Sequence, residues 1–267
     1  MTSRLGVQIH SSSIVEDGAQ LGEGVKIGPF CHVGAKTKLG DGVELLSHVS
    51  LQGETSLGAR TRIFPFASIG NEPQDLKYDG EPVTLEVGED CTIRETVTMN
   101  PGTAGGGSVT RIGDRCTFLA SSHVAHDCIV GNDVIFSNNV MLAGHCIVGD
   151  HVIFGGGAAA HQFCRIGHHA FVGGLSGTEG DVIPFGMVIG NRGGLAGLNL
   201  VGMRRSGIAR ESIHDVRAGY KEVFLSGRPI QDAAKELRSS ATDELLIDML
   251  DFVQASADRA LCTPVSS

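Results

Sequence analysis

Four histidines and one carboxylate in the middle of the chain are spaced to move protons. His123 and His126 are three residues apart, Asp127 follows directly, and His145 and His161 come later. Counting 18 on from His126 reaches Gly144, beside His145, and 36 on reaches Gln162, beside His161. On a scaffold that repeats at that interval, these side chains gather at one corner over three successive turns. Imidazole changes charge near neutral pH, and an adjacent carboxylate fixes its tautomer and stabilises the imidazolium. A general base that takes a proton from a hydroxyl or an amine needs that arrangement. No serine or cysteine carries a nucleophile's signature here, so direct, base-assisted transfer is simpler than a covalent intermediate. A single histidine is more often a surface group than a catalyst; four converging at one corner reverse that weighting. His151, His168 and His169 are out of phase with the four and belong to another corner.

The repeating scaffold is visible in the apolar pattern. Ile112, Phe118, Val124, Val130, Phe136, Leu142, Val148, Phe154, Ala160, Ile166 and Val172 recur every sixth position, each with a small or β-branched residue two places before it. A period of six is neither a helix nor an ordinary strand. It is the hexapeptide repeat of a parallel β-helix, three hexads to a coil. The same period runs from Ile9 to Ile69, then resumes at Val87, Ile93 and Met99, so residues 70–86 are a loop thrown out without loss of register. A second loop, 100–109, contains Gly105-Gly106-Gly107 and moves the register by one. The hexads amount to about eight coils, a prism roughly 40 Å tall at strand spacing. Long excursions from such an array carry function more often than structure.

Past Gly190 the hexads stop and helical spacing follows. Ile213, Val216, Tyr220, Val223 and Phe224 make one apolar face; Ile230, Ala233, Ala234 and Leu237 make a second. Ser240 is placed to cap a third helix that includes Leu245, Met249 and Phe252. The expected organisation is all-β, a β-helix over residues 1–195, followed by a small helical domain over 196–267. Six of seven cysteines fall at the small inward position, where they read as reduced core filler.

A formal net charge of -9 argues against general nucleic-acid binding. Residues 204–228 nevertheless hold six bases against three acids, a local face suited to an acidic partner or a phosphate. Met1–His10 has no apolar signal region and the chain has no run long enough to span a bilayer, so a soluble, cytoplasmic protein is expected. His126 lies two places after inward-pointing Val124, which puts it on the outside of a prism corner without walls of its own. A site there calls for a neighbouring copy.

The hexads, the segment Gly70-Asn-Glu-Pro-Gln74-Asp75-Leu76-Lys77-Tyr78, the run His123-Val-Ala-His126-Asp127-Cys128 and the run Ala160-His161-Gln162-Phe-Cys164 resemble the acyl-carrier-protein–UDP-N-acetylglucosamine O-acyltransferases. The likeness extends over nearly the whole chain, Arg204-Arg205 included. It implies a left-handed coil, a homotrimer with no cofactor or metal, and transfer of a 3-hydroxyacyl group from acyl carrier protein to the glucosamine 3-hydroxyl, the step that begins lipid A synthesis. It also implies that His126 is the base, Asp127 its orienting partner and the Gly144 N–H the oxyanion donor. Gln74, Asp75, Leu76, Lys77, His123, His145, His161 and Gln162 would contact sugar, diphosphate or acyl chain, and Asn199 and Arg205 the nucleotide. Gly174 stands where side-chain size limits the acyl chain, which favours a longer one. Val201 replaces an acidic nucleotide contact of many members, and Arg192 stands where some place the residue that ends the acyl channel. The acidic carrier protein would meet the basic face 204–228.

On the residues alone, other classes stay open. A β-helix zinc enzyme would share histidines between subunits and keep one metal position free. A non-enzymatic β-helix would show regular threonine ladders, whereas the outward positions here are irregular. The related N-acyltransferases carry an extra nucleotide domain ahead of the repeats, and here the hexads start by Ile9.

Overall fold

The structure, a computed structural model, describes residues 6–264. Each hexad folds as a two-residue strand and a turn, and three such units close one coil. Strand pairing is parallel and joins residues one coil apart: His123 pairs with Met141 and Val124 with Leu142. Eleven, nine and eight strands build the three faces, which we call first, second and third in chain order. The nine strands of the second face exceed the eight expected coils by one. The extra strand, Gly177–Thr178, carries no aliphatic residue and so escapes a hexad count.

The inward positions stack into columns. Ile27, Leu45, Ile63, Ile93, Phe118, Phe136, Phe154 and Val172 follow one another up the first face and are at most 3% exposed. Phe118, Phe136 and Phe154 meet edge to face at 5.1 and 4.8 Å, a favoured aromatic geometry. Ile9 was expected inside but is 47% exposed, because no coil among the described residues covers the bottom of the stack. All seven cysteines are buried free thiols. Burial pushes the Cys164 thiol up to about 12, which suits inert filler.

Corners turn on residues with positive φ, including bulky ones such as Phe66, Asp127, His145 and Phe163. Non-glycine residues enter that region at a steric cost, which neighbouring coils offset by hydrogen-bonding the corner on both sides. His145 N–H, for example, donates to His126 C=O at 3.0 Å.

Both loops leave the stack as the sequence implies. Leu57 pairs with Val87 across the first, and Val87 with Ile112 across the second. The first pairing spans a coil plus two whole hexads, and the second a coil plus one hexad and one further position. The second excursion therefore accounts for the shift in register. Strand structure returns earlier than expected after the first loop, at Thr84.

Beyond the coils, Gly186–Ile189 and Gly194–Leu198 form an antiparallel hairpin that the sequence pattern did not suggest. Four helices follow: α1 (Leu200–Arg205), α2 (Arg210–Leu225), α3 (Ile230–Arg238) and α4 (Glu244–Gln254). Helix α1 is also additional to the expected three. Asp243, not Ser240, caps α4, its carboxylate accepting from Leu246 N–H at 2.9 Å. Ser240 instead donates back to Leu237 C=O at 3.3 Å, which ends α3. The helices dock on the last coils through Arg165, which lies over the Phe252 ring at 4.4 Å and holds the buried Asp181 at 2.7 Å.

Candidate active site

The corner between the second and third faces collects the sequence-predicted residues. His123 sits on the outer side of strand His123–Val124, and His126 and Asp127 form the turn into Ile129–Val130. Gly144-His145 and His161-Gln162-Phe163 occupy the same turn one and two coils further on.

Asp127 organises this corner. Its side chain is fully buried and accepts three hydrogen bonds: Thr103 N–H at 2.7 Å, Thr103 O–H at 2.6 Å and His126 Nδ1 at 2.7 Å. A carboxylate only accepts, so His126 must donate through Nδ1, which leaves Nε2 with the lone pair of a base. The strain of Asp127 at φ 61 is offset in part by Thr110, whose hydroxyl accepts from its N–H at 2.8 Å. Gly144 lies against the imidazole: a Cβ there would fall 2.6 Å from His126 Cε1 and 2.8 Å from Nε2. Only glycine fits beneath the base. The Gly144 N–H meets no backbone acceptor among the described residues.

One expectation is corrected here. His126 is not on an open corner; it and Asp127 are both buried, Asp127 under the turn Ala104–Gly106 of the second loop. Gly106 packs so closely that a Cβ would overlap the Asp127 carboxyl carbon, at 2.0 Å. The corner therefore has one wall from its own chain. The first loop joins it: Glu81 accepts from Ala104 N–H at 3.1 Å, and the Asn100 side chain holds Asn71 and Glu72 carbonyls at 3.1 and 3.0 Å.

His145 meets the His126 ring edge-on at 5.0 Å and stacks on Phe163 at 4.5 Å. Burial lowers its pKa, with Asp127 opposing and Lys77 adding to the fall. Burial also lowers that of His123, whose Nδ1 lies 2.7 Å from the Thr98 hydroxyl. Both rings are thus held neutral near pH 7. The ligand atoms of His126, Asp127 and His145 are close enough for one cation. Asp127 already accepts three hydrogen bonds, one of them from His126 itself, so the donor set suits a hydrogen-bonded dyad better than a zinc site.

A groove of about 640 Å³ opens in front of His126. Its floor is the outward column of the second face, where side chains shrink coil by coil from His123 through Met141 and Ala159 to Gly177. Gln74 lines its lower part, Gly144, His161 and Gln162 its flank, and Glu179, Asn191 and Arg192 its upper end. Other candidates lie elsewhere. Asp75 and Lys77 act on His145 through their charge, whereas Leu76 projects fully into solvent. Gly174 is exposed at the corner between the first and second faces, off the groove. Asn199 caps α1 and donates to His169 C=O at 2.9 Å, at the corner between the third and first faces, and Arg205 ends the same helix.

The sequence reading missed Thr98 and Thr103. Thr98 pairs with His123 across the ladder, but lies one hexad and one position earlier in the chain than a regular coil would put it, because the second loop intervenes. Thr103 lies inside that loop, where no period exists to place it.

Comparisons with known proteins show the family of the chain. A relative from Rhizobium johnstonii named acyl-[acyl-carrier-protein]–UDP-N-acetylglucosamine O-acyltransferase is 55% identical over 258 residues, 96% of this chain and 95% of the relative. The chain belongs to that family of O-acyltransferases. Residues 181–262 match the second domain of the UDP-N-acetylglucosamine O-acyltransferases, and 110–144 match the bacterial transferase hexapeptide repeat. The UDP-N-acetylglucosamine acyltransferase of Campylobacter jejuni superposes with a TM-score of 0.92 at 34% identity, covering 97% of this chain and all of that one. LpxA of Acinetobacter baumannii gives 0.90 at 40% identity, over 95% and 98%. The O-acyltransferase fold seen here is the left-handed parallel β-helix with C-terminal helices, against the usual right-handed crossover.

The basic face is narrower than its sequence suggests. Arg228 is taken up by Glu222 and Glu236, at 3.3 and 2.5 Å. Arg204, Arg210, His214 and Arg217 instead surround a cleft with Leu200, Ile208 and Ile213. Among the described residues no helix is long and apolar enough to cross a membrane.

Proposed function

We propose that this protein transfers a 3-hydroxyacyl chain from acyl carrier protein to the glucosamine 3-hydroxyl of UDP-N-acetylglucosamine, the first step of lipid A biosynthesis, in the cytoplasm. The observation that carries the mechanism is the buried pair in which Asp127 holds His126 Nδ1 at 2.7 Å. His126 Nε2 takes the hydroxyl proton as the sugar oxygen forms its bond to the thioester carbonyl carbon. The carbonyl oxygen gains negative charge and is met by the Gly144 N–H, a backbone donor of the type that stabilises such oxyanions. The intermediate collapses, the C–S bond breaks, and the imidazolium returns its proton to the departing sulfur. Asp127 stabilises that imidazolium throughout.

His123, His145, His161, Gln162 and Asp75 surround the sugar, and Lys77 holds its diphosphate side. The narrowing apolar floor from Met141 to Gly177 takes the acyl chain towards Arg192. Asn199 and Arg205 lie at another corner of the same protomer, so the nucleotide reading requires a homotrimer in which a neighbouring copy brings them to the groove. Gly174 then limits acyl length from the adjoining corner. Acyl carrier protein docks on the cleft of Arg204, Arg210 and Arg217.

His126→Ala should reduce turnover by about 10²- to 10⁴-fold, the usual contribution of a general base. Mass spectrometry of the product should show one 3-hydroxyacyl ester on the sugar nucleotide. A fully active His126→Ala protein, or an acylated product without the nucleotide, would sink the proposal.

A further inference from the structure

His161 and Gln162 have a partner that the sequence pattern could not suggest. Arg259 lies beyond α4 and reaches back across the prism. Its Nη2 is 2.7 Å from His161 Nδ1, and its Nε donates to Gln162 C=O at 2.8 Å. One edge of one guanidinium thus clamps two successive residues of the groove's flank.

The segment that follows Arg259 is tied to the last coils. Asp181 N–H donates to Ala260 C=O at 2.8 Å, and Cys262 N–H donates to Asp181 C=O at 2.8 Å. Leu195 N–H donates to Thr263 C=O at 2.9 Å. Asp181 is itself fully buried, its carboxylate fixed on Arg165. The Cys262 thiol is 3.2 Å from the Thr178 hydroxyl, beneath the upper groove. The tail therefore has a built seat on the last coils, and Arg259 is the side chain it delivers to the groove.

The chemistry at His161 follows from donor arithmetic. Arginine has only donors, so Nδ1 facing Nη2 must accept. The competing use of Nδ1, donation to Gln162 C=O, spans 3.4 Å and is much the weaker contact. The proton of the neutral ring then sits on Nε2.

We infer that Arg259 is a positioning residue of the acyl-transfer site, which locks His161 as the Nε2–H tautomer so that it donates to a substrate oxygen. This rests on the groove being the acyl-transfer site. His161 is the mirror image of His126: Asp127 frees Nε2 to accept, and Arg259 loads Nε2 to donate. One corner holds two histidines with opposite roles, each set by the group behind it.

The test uses the full chain with Arg259→Met, which keeps the side-chain bulk, and Arg259→Lys, which keeps one donor. In the unsubstituted protein, ¹⁵N spectra should show His161 protonated at Nε2 alone, and Arg259→Met should give a mixture of tautomers. Its kcat/KM for the sugar nucleotide should fall about tenfold, as for loss of one charge-assisted hydrogen bond, and Arg259→Lys should recover part of it. Combined with His161→Gln, Arg259→Met should cost nothing more, since the arginine acts through the histidine. An unmoved tautomer, or losses that add in the double variant, would overturn the assignment. His126→Ala, run alongside, separates the two claims: if it stays active the acyl-transfer reading fails, whatever Arg259 does.

Discussion

At the scale of residues, the site depends on a few donors set behind the reacting groups. Asp127→Asn should keep the buried shape but exchange a pure acceptor for an amide that also donates. Oriented towards His126, the amide nitrogen would force Nδ1 to accept and leave the proton on the wrong nitrogen. The expected loss in kcat/KM is on the order of 10²- to 10⁴-fold with little change in Tm; a loss under twofold would remove Asp127 from the mechanism. The histidines of this corner were legible from the sequence because they obey the coil period. Thr103 and Arg259 were not. One sits in an aperiodic loop, and the other lies 97 and 98 residues along the chain from Gln162 and His161. Periodicity places what the coil holds, and says nothing of what folds onto it.

At the scale of elements, corners differ in what they bury. Where the third face meets the first, the His151 and His169 rings lie 4.5 Å apart, tilted to each other, His168 Nδ1 lies 3.0 Å from His169 Nδ1, and Asp248 of α4 binds His168. Burial, then the fields of His151 and His168, bring the His169 pKa down to about 4, with Asp150 opposing. Between the ordinary value of 6.5 and about 4, the unfolded chain holds a proton that the folded one does not. Stability must therefore fall as pH drops through that window. The depressed carboxylates add their own loss only at lower pH, below 3.8 for Asp90 and Asp133 and below 4.5 for Glu81 and Glu95. Thermal melts from pH 7 to pH 4.5 should show a decline of a few degrees, flattened in His169→Gln. Identical slopes for the two proteins would refute this. The corner's existence followed from the spacing of its histidines. Its contact with α4 did not, because the helical end has no period linking it to the coils, which is also why the Asp243 cap and α1 escaped notice.

At the scale of the whole molecule, the groove and the basic helical end lie on different corners. If neighbouring copies complete each site, His126→Ala and Arg205→Ala chains should each be nearly inactive, yet recover activity when co-expressed. Mixed oligomers then contain sites in which both intact residues meet. No recovery, with mixed oligomers verified by mass, would place the whole site within one chain. The ladder pairing has a further consequence, for the order in which the chain folds. Most pairings span a single coil, so a coil can close as soon as the next is made, without waiting for distant segments. Loop-closure entropy is small and nearly constant for each step. The contacts of Arg165 with Phe252, and of Arg259 with the groove, bridge 87 to 98 residues and come last. A ribosome releasing this chain would thus display a finished prism, with His126 already seated on Asp127, before His161 acquires its partner. Newly made protein would become competent in two stages, the second timed by the arrival of its own tail.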